Sequence, residues 1–240
     1  MVNPGDAKKR YWSYEQVHDA IRHAVCDTRV FDGFVPTLML AIGGGGYIPT
    51  RIARTYLHHT YKTKVSVQAV GLSLYESEMD GCDVSRSTVK VTQWLTYGGG
   101  PGSVSLSGQR ILIVDEVDDS RKTLAACVAA LQSDIDAARA AAAQSGADWE
   151  EPEVGIFVLA YKRREKLAEL PADIMKDRYW AAIDMDDCWC VFPWDAHDIY
   201  DHTRLAEGAA PGAAADPAGA GGAPPKTLAA SALAASPRKV

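Results

Sequence analysis

The segment Arg110 to Leu124, RILIVDEVDDSRKTL, constrains the fold of this 240-residue chain more than any other. It opens on a run of aliphatic and β-branched residues that reads as a buried strand. Two neighbouring acids, Asp115 and Glu116, stand at the carboxyl end of that strand, and the polar stretch DDSRKT leads from them into an Ala-rich helical pattern. A strand that ends in acids and turns into a helix is a unit of an open α/β sheet, and the carboxyl edge of such a sheet is where ligands bind.

Similar units recur along the chain. Strand candidates are Thr37 to Ile42, Val65 to Leu74, Val89 to Leu95, Arg110 to Val114 and Val154 to Tyr161. Helices are expected where Ser13 caps Tyr14 to Val25, where Pro49 opens a segment to about His58, and where Ser120 precedes an Ala-rich run to about Ala143. The alternation predicts an α/β fold around a mostly parallel central sheet flanked by helices. Two polar runs interrupt it, Glu76 to Ser87 and Gly98 to Gly108; both read as mobile connections, and the first is a candidate lid. From Leu205 onward small residues and prolines leave little with which to build a core. Residues 1–204 are therefore expected to form one domain and residues 205–240 a disordered tail.

Composition removes several classes of function. No stretch approaches the ~20 apolar residues of a membrane span, and the polar start MVNPGDAKKRYW lacks the apolar core of a secretory signal, so a cytoplasmic protein with no membrane partner is expected. A net charge of −6 argues against a nucleic-acid partner. Five scattered cysteines argue against a disulfide framework, and the close pair Cys188 and Cys190 lacks the second pair that a structural metal site requires.

The residue types of the opening segment suggest a ligand. Asp115 and Glu116 together can accept hydrogen bonds from a vicinal diol such as that of a ribose. Asp119, Ser120, Arg121, Lys122 and Thr123 sit where loop becomes helix, so that backbone N–H groups and two hydroxyls converge on one anion. Ribose beside phosphate is the implied ligand. A core strand with a solvated acidic turn is the plain alternative; a Walker B strand would need GxxxxGK[ST], which the sequence lacks.

The stretch resembles the signature with which type I phosphoribosyltransferases bind phosphoribosyl pyrophosphate (PRPP), and VDEVDDSRKTL is most similar to the fungal hypoxanthine-guanine and xanthine enzymes of that family. Asp119, Ser120 and Thr123 match its D-[ST]-G-x-T loop, while Arg121 stands where most of the superfamily has glycine. The resemblance spans roughly Tyr11 to Tyr200 and implies the family's sheet with a small hood over its edge.

Three further motifs fall into place beside it. AIGGGGYIPTR, Ala41 to Arg51, is a strand end followed by a glycine-rich turn; its residues alone fit either a phosphate contact or a tight turn with close helix packing. The resemblance implies that Gly43, Gly44 and Gly45 bind pyrophosphate, with a cis peptide at Gly43-Gly44. Lys162, just past the end of the Val154 to Tyr161 strand, fits either a donor to a carbonyl oxygen or a solvated helix start in KRREK; the resemblance sets it on the exocyclic oxygen of a 6-oxopurine. In DMDDCWCVFPWDAHDI the rings are either core or a stacking surface. The resemblance implies that Trp189 stacks on the base, that the Cys190 backbone bonds to it, and that Asp195 holds magnesium through water, with Asp115 and Glu116 contributing indirectly.

What the resemblance implies in sum is purine salvage: hypoxanthine or guanine, with xanthine a further candidate, joined to PRPP to give IMP, GMP or XMP and pyrophosphate. Asp119 would serve as the catalytic acid-base group at the imidazole nitrogen of the purine, in a magnesium-dependent homodimer. Two rivals stay open: a phosphoribosyltransferase for another base, and a non-catalytic nucleotide sensor of the same fold.

Overall fold

Our computed structural model describes residues 8–75, 88–97, 100 and 102–208. The elements in chain order are β1 (Lys9–Tyr11), α1 (Tyr14–Arg22) running on into a π-helical turn (His23–Asp27), β2 (Leu38–Ile42), α2 (Tyr47–Tyr61), β3 (Ser66–Tyr75), β4 (Thr88–Gln93), β5 (Arg110–Asp118) and α3 (Lys122–Ser145). They continue with β6 (Glu153–Arg163), α4 (Ala172–Asp177), β7 (Tyr179–Asp186), β8 (Trp189–Val191), a 3-10 turn (Pro193–Asp195) and α5 (Ile199–Ala206). The main sheet has the order β4-β3-β2-β5-β6-β7, and every neighbouring pair in it is parallel except β3 with β4.

Side chains of β5 alternate between the two faces of this sheet, as a two-unit period demands. Ile111 and Ile113 join the cluster under α3 and α4, whose Leu124, Cys127, Leu131 and Ile174 cover them. Leu112 and Val114 join the opposite cluster, covered by Val17 and Ile21 of α1 and by Ile52 and Leu57 of α2. The apolar run of β5 thus follows from burial on both sides. A hood is built from the chain's ends: β1 pairs in parallel with β8, and His202 of α5 hydrogen-bonds the Trp12 carbonyl oxygen at 2.9 Å.

The expected elements are present, with corrections at their ends. Ser13 forms the full capping box with Gln16, and the helix passes into its π turn just before the expected end at Val25. Pro49 is the third residue of α2, which opens at Tyr47. Ser120 does not cap α3; the cap is Arg121, in the left-handed region at φ 71° and without a side-chain cap bond. Strand β5 runs past Val114 because its pairing with β6 continues to Asp118, and β6 runs past Tyr161 because its pairing with β7 continues to Arg163, so Asp115, Glu116 and Lys162 lie inside strands rather than beyond them. Strand β7 was not among the sequence candidates, nor were the three-residue strands β1 and β8.

The Gly98 to Gly108 connection is anchored at its described flanks: Trp94 Nε1 and Tyr97 Oη donate to Asp134 of α3 at 2.5 and 2.7 Å. Glu76 to Ser87, the candidate lid, lies outside the described residues, as does the expected tail beyond residue 208. Helix α5 ends at Ala206. Among the described residues no helix is long and apolar enough to cross a membrane.

Candidate active site

The carboxyl ends of β2, β5 and β6 meet under the hood. The turn after β2 is trans throughout, Gly43-Gly44 included, which corrects the expected cis peptide. The chain reverses instead through Gly44 at φ 85°, a conformation open to glycine. Close packing accounts for two neighbours: a Cβ on Gly45 would collide with the Glu116 carboxylate, and one on Gly46 would stand 2.6 Å from the Val114 carbonyl oxygen. Glycines here let the turn lie against the end of β5.

The two adjacent acids differ in setting. Asp115 is buried, with Oδ1 accepting from the Glu116 N–H at 2.8 Å, and burial pushes its pKa up to about 8. Glu116 is half-buried; its Oε2 accepts from Trp194 Nε1 at 3.1 Å. Burial raises its pKa, the Trp194 bond opposes the rise, and the nearby charge of Asp195 adds to it. Glu116 therefore links three stations that are distant in sequence, the glycine turn, β5 and the hood.

Beyond β5 the loop is organised by charge. Asp119 Oδ2 lies 3.2 Å from Lys162 Nζ and its Oδ1 lies 2.9 Å from Arg164 Nη1. Lys162 is buried, and its ammonium is turned onto Asp119. Asp118, which sequence reasoning passed over, is fully buried and takes bonds from Arg121 Nε and Nη2 at 3.0 and 2.8 Å and from Tyr179 Oη at 2.5 Å. The Arg121 side chain is thus engaged inside the protein, leaving the loop its backbone N–H. Lys166 Nζ donates to the carbonyl oxygens of Asp118, Asp119 and Lys162 at 2.7, 3.0 and 2.9 Å. KRREK is accordingly not a solvated helix start: Lys162, Arg164 and Lys166 all close on Asp118 and Asp119.

The hood carries the rings. Phe192 is buried and stacks on Trp194, with centroids 4.7 Å apart and planes 7° from parallel, so these two rings are packing. Trp189 is different: 53% exposed, it offers a free aromatic face. Burial pushes the thiol of the half-buried Cys190 up to about 11, and the charges of Lys162, Asp119 and Glu116 act on it as well. Asp195 is exposed beside Glu116. Ser120, Lys122 and Thr123 sit half-buried at the start of α3, where the first-turn N–H groups lack intrahelical partners. Two adjacent acids, a helix start with unpartnered N–H groups, a glycine turn, a lysine–aspartate pair and an exposed aromatic ring are chemically suited to a sugar phosphate and a flat heterocycle.

No family model matches the chain. It is 43% identical over 208 residues to the hypoxanthine-guanine phosphoribosyltransferase of Saccharomyces cerevisiae, covering 82% of this chain and 90% of that protein. It is 38% identical over 199 residues to the enzyme of the same name from Schizosaccharomyces pombe, covering 82% and 94%, and 38% identical over 206 residues to xanthine phosphoribosyltransferase 1 of S. cerevisiae, covering 83% and 96%. Among solved structures, a Neisseria gonorrhoeae protein with bound ppGpp matches at a TM-score of 0.64 and 32% identity, over 84% of this chain and 97% of that one. A purine phosphoribosyltransferase of Pyrococcus horikoshii shares the fold at a TM-score of 0.52 and 19% identity, over 79% and 96%. With these relatives matched over nearly their whole length, the chain belongs to the type I purine phosphoribosyltransferases.

Proposed function

We propose that this chain transfers the phosphoribosyl group of PRPP to hypoxanthine or guanine, and to xanthine as a third acceptor, giving IMP, GMP or XMP and pyrophosphate. One observation carries the reading: Lys162 Nζ and Asp119 Oδ2 stand 3.2 Å apart, a donor beside an acceptor. A 6-oxopurine offers the matching edge, an exocyclic oxygen next to an imidazole N–H, whereas adenine offers an amino group that an ammonium cannot bond. The similarity to fungal hypoxanthine-guanine and xanthine enzymes supports the same acceptors.

In this reading Trp189 stacks on the purine and the Cys190 backbone reads its edge. Glu116 and Asp115 accept from the ribose diol, residues 119–123 hold the 5-phosphate, and Gly43, Gly44 and Gly45 line the pyrophosphate. As the anomeric C–O bond breaks, positive charge grows on the sugar and the carboxylates beneath it stabilise that charge. The purine nitrogen attacks from the opposite face, and Asp119 takes the imidazole proton. A magnesium ion would neutralise the leaving pyrophosphate. Glu116 and Asp195 fit such an ion: among the described residues no cage of three or more ligating side chains exists, yet Asp195 lies close enough for its charge to oppose the ionisation of Glu116. A hydrated cation held by one or two carboxylates and substrate oxygens relieves that repulsion. A homodimer working in the cytoplasm completes the reading.

A second reading, a nucleotide-binding regulator of the same fold, is favoured by one observation, the ppGpp bound in the Neisseria relative. Both are tested by a spectrophotometric assay with PRPP and magnesium, offering hypoxanthine, guanine, xanthine and adenine separately, with Asp119→Asn in parallel. Conversion of a 6-oxopurine, slowed ~100-fold or more in the variant, is expected. Binding of PRPP or of nucleotide without conversion of any base would overturn the enzyme reading in favour of the regulator.

A further inference from the structure

Arg121 poses a physical problem. Its backbone sits at φ 71°, where a side chain crowds the following carbonyl and glycine is the usual occupant. Among the described residues only Arg29 and Lys62 share that region without being glycine, and both are at exposed turns or helix ends. Arg121 instead opens the helix that follows β5. Something other than local preference must hold it there.

The surroundings supply the hold. Asp118, three residues earlier, takes two bonds from one side of the guanidinium, and Tyr179 Oη bonds the same Asp118 oxygen. The rings of Tyr179 and Tyr161 lie 5.5 and 6.0 Å from the guanidinium carbon. Lys166, 4.4 Å from the Tyr161 ring centre, ties the carbonyls of Asp118 and Asp119 to that of Lys162 and stands 3.4 Å from Asp118 Oδ1. The carboxylate has no exposure and the arginine side chain only 10%. Leu167 N–H adds a bond to the Ser120 carbonyl at 3.0 Å. Bonds to this part of the loop come from the end of β5, from β6 and the segment after it, from the start of β7 and from the first turn of α3.

We propose that Arg121 is a positioning residue, and that the buried Asp118–Arg121–Tyr179 clamp, backed by Lys166, fixes residues 119–123 in the shape that binds the 5-phosphate. The clamp does by side-chain anchoring what glycine does by lacking a side chain. The proposal rests on the reading of residues 119–123 as the phosphate loop, and it assigns the Arg121 side chain to the protein rather than to the ligand.

The test compares the full-length wild type with Arg121→Ala, Arg121→Gly, Arg121→Lys, Asp118→Asn and Tyr179→Phe. Hydrogen exchange of amides 119–124 reads the loop without ligand. Calorimetric titration of PRPP with magnesium, and the KM for PRPP against the KM for the purine, read its consequence. Arg121→Ala should speed loop exchange and raise the PRPP KM ~10-fold or more while the purine KM moves by less than about twofold. Arg121→Gly, free of the backbone penalty, should recover part of that loss. Arg121→Lys, lacking the planar fork, should not restore wild-type affinity. Asp118→Asn leaves a buried arginine unpaired and can cost folding; Tyr179→Phe removes one hydroxyl and keeps the ring, and it should weaken PRPP by a few-fold.

If Arg121→Ala and Arg121→Gly lose affinity equally while Tyr179→Phe and a folded Asp118→Asn bind as wild type does, Arg121 contacts the phosphate itself and the clamp is wrong. Unchanged loop exchange in Arg121→Ala also overturns it. A wild type that binds no PRPP refutes the phosphate-loop reading instead, and the exchange data then decide the clamp alone.

Discussion

Glu116 shows how a single side chain can join stations that the sequence separates by more than a hundred residues. Its carboxylate fills the space that a Cβ on Gly45 would need, and it accepts a side-chain bond from Trp194. That bond holds the carboxylate over the turn and resists the rise in its pKa that burial causes. Trp194→Phe keeps an aromatic ring to stack on Phe192 and removes only the donor. We expect stability to fall by about 1 kcal/mol, the usual net worth of one hydrogen bond. On the proposed role of Glu116 at the ribose, the KM for PRPP should rise several-fold, because a wandering carboxylate would no longer present both oxygens to the diol. Thermal unfolding and initial rates at varied PRPP check both; an unchanged KM would show that Glu116 is held without Trp194.

Strand β5 brings an acid into the interior and with it a pH dependence. Burial raises the Asp115 pKa from 3.8 to about 8, so the folded chain binds a proton there that the unfolded chain releases from about pH 4 upward. The contribution is fully present below the unfolded value and is lost as pH rises through about 8. In the absence of PRPP and magnesium, wild-type stability should therefore drop relative to Asp115→Asn by a few kcal/mol between about pH 5 and about pH 8. Parallel denaturant melts of the two proteins measure the difference; equal pH slopes would mean that Asp115 is ionised in the fold. The same strand marks how far a sequence can be read. Its apolar run and adjacent acids announce a buried strand with a ligand edge, and Ser13 with Gln16 announces a helix start, because burial and capping write local patterns. Strand β7 carries Ala181 and Ala182 in place of β-branched residues, and its position is set by pairing with β6 alone. Strands β1 and β8 exist only through each other. Nothing local distinguishes Asp118, which pairs inward, from Asp119, which faces Lys162, since that choice is made by Tyr179, sixty-one residues away.

At the scale of the molecule, one sheet shares its two faces between two apolar clusters, and neither cluster is complete without the strands that serve the other. Phe157 and Ile156, neighbours on β6, belong to opposite clusters, and both side chains are fully buried. Damage to one face must therefore be transmitted through the backbone ladder to the other. Phe157→Ala should cost about 3–5 kcal/mol by leaving a cavity against Phe31, and Ile113→Ala on the other face about 2–5 kcal/mol. In each case the whole domain should still unfold in one transition. The tryptophans make this testable, since Trp12 and Trp180 lie in one cluster while Trp94 and Trp149 pack against the other. Fluorescence of the wild type and of variants keeping only one pair should trace the same midpoint as far-ultraviolet circular dichroism. Separate midpoints for the two pairs would mean that each face melts alone. The clamp on Asp118 would then be the bond to examine, because Asp118 ends β5 while its partner Tyr179 begins β7, so that contact spans β6 and joins two strands that are not neighbours.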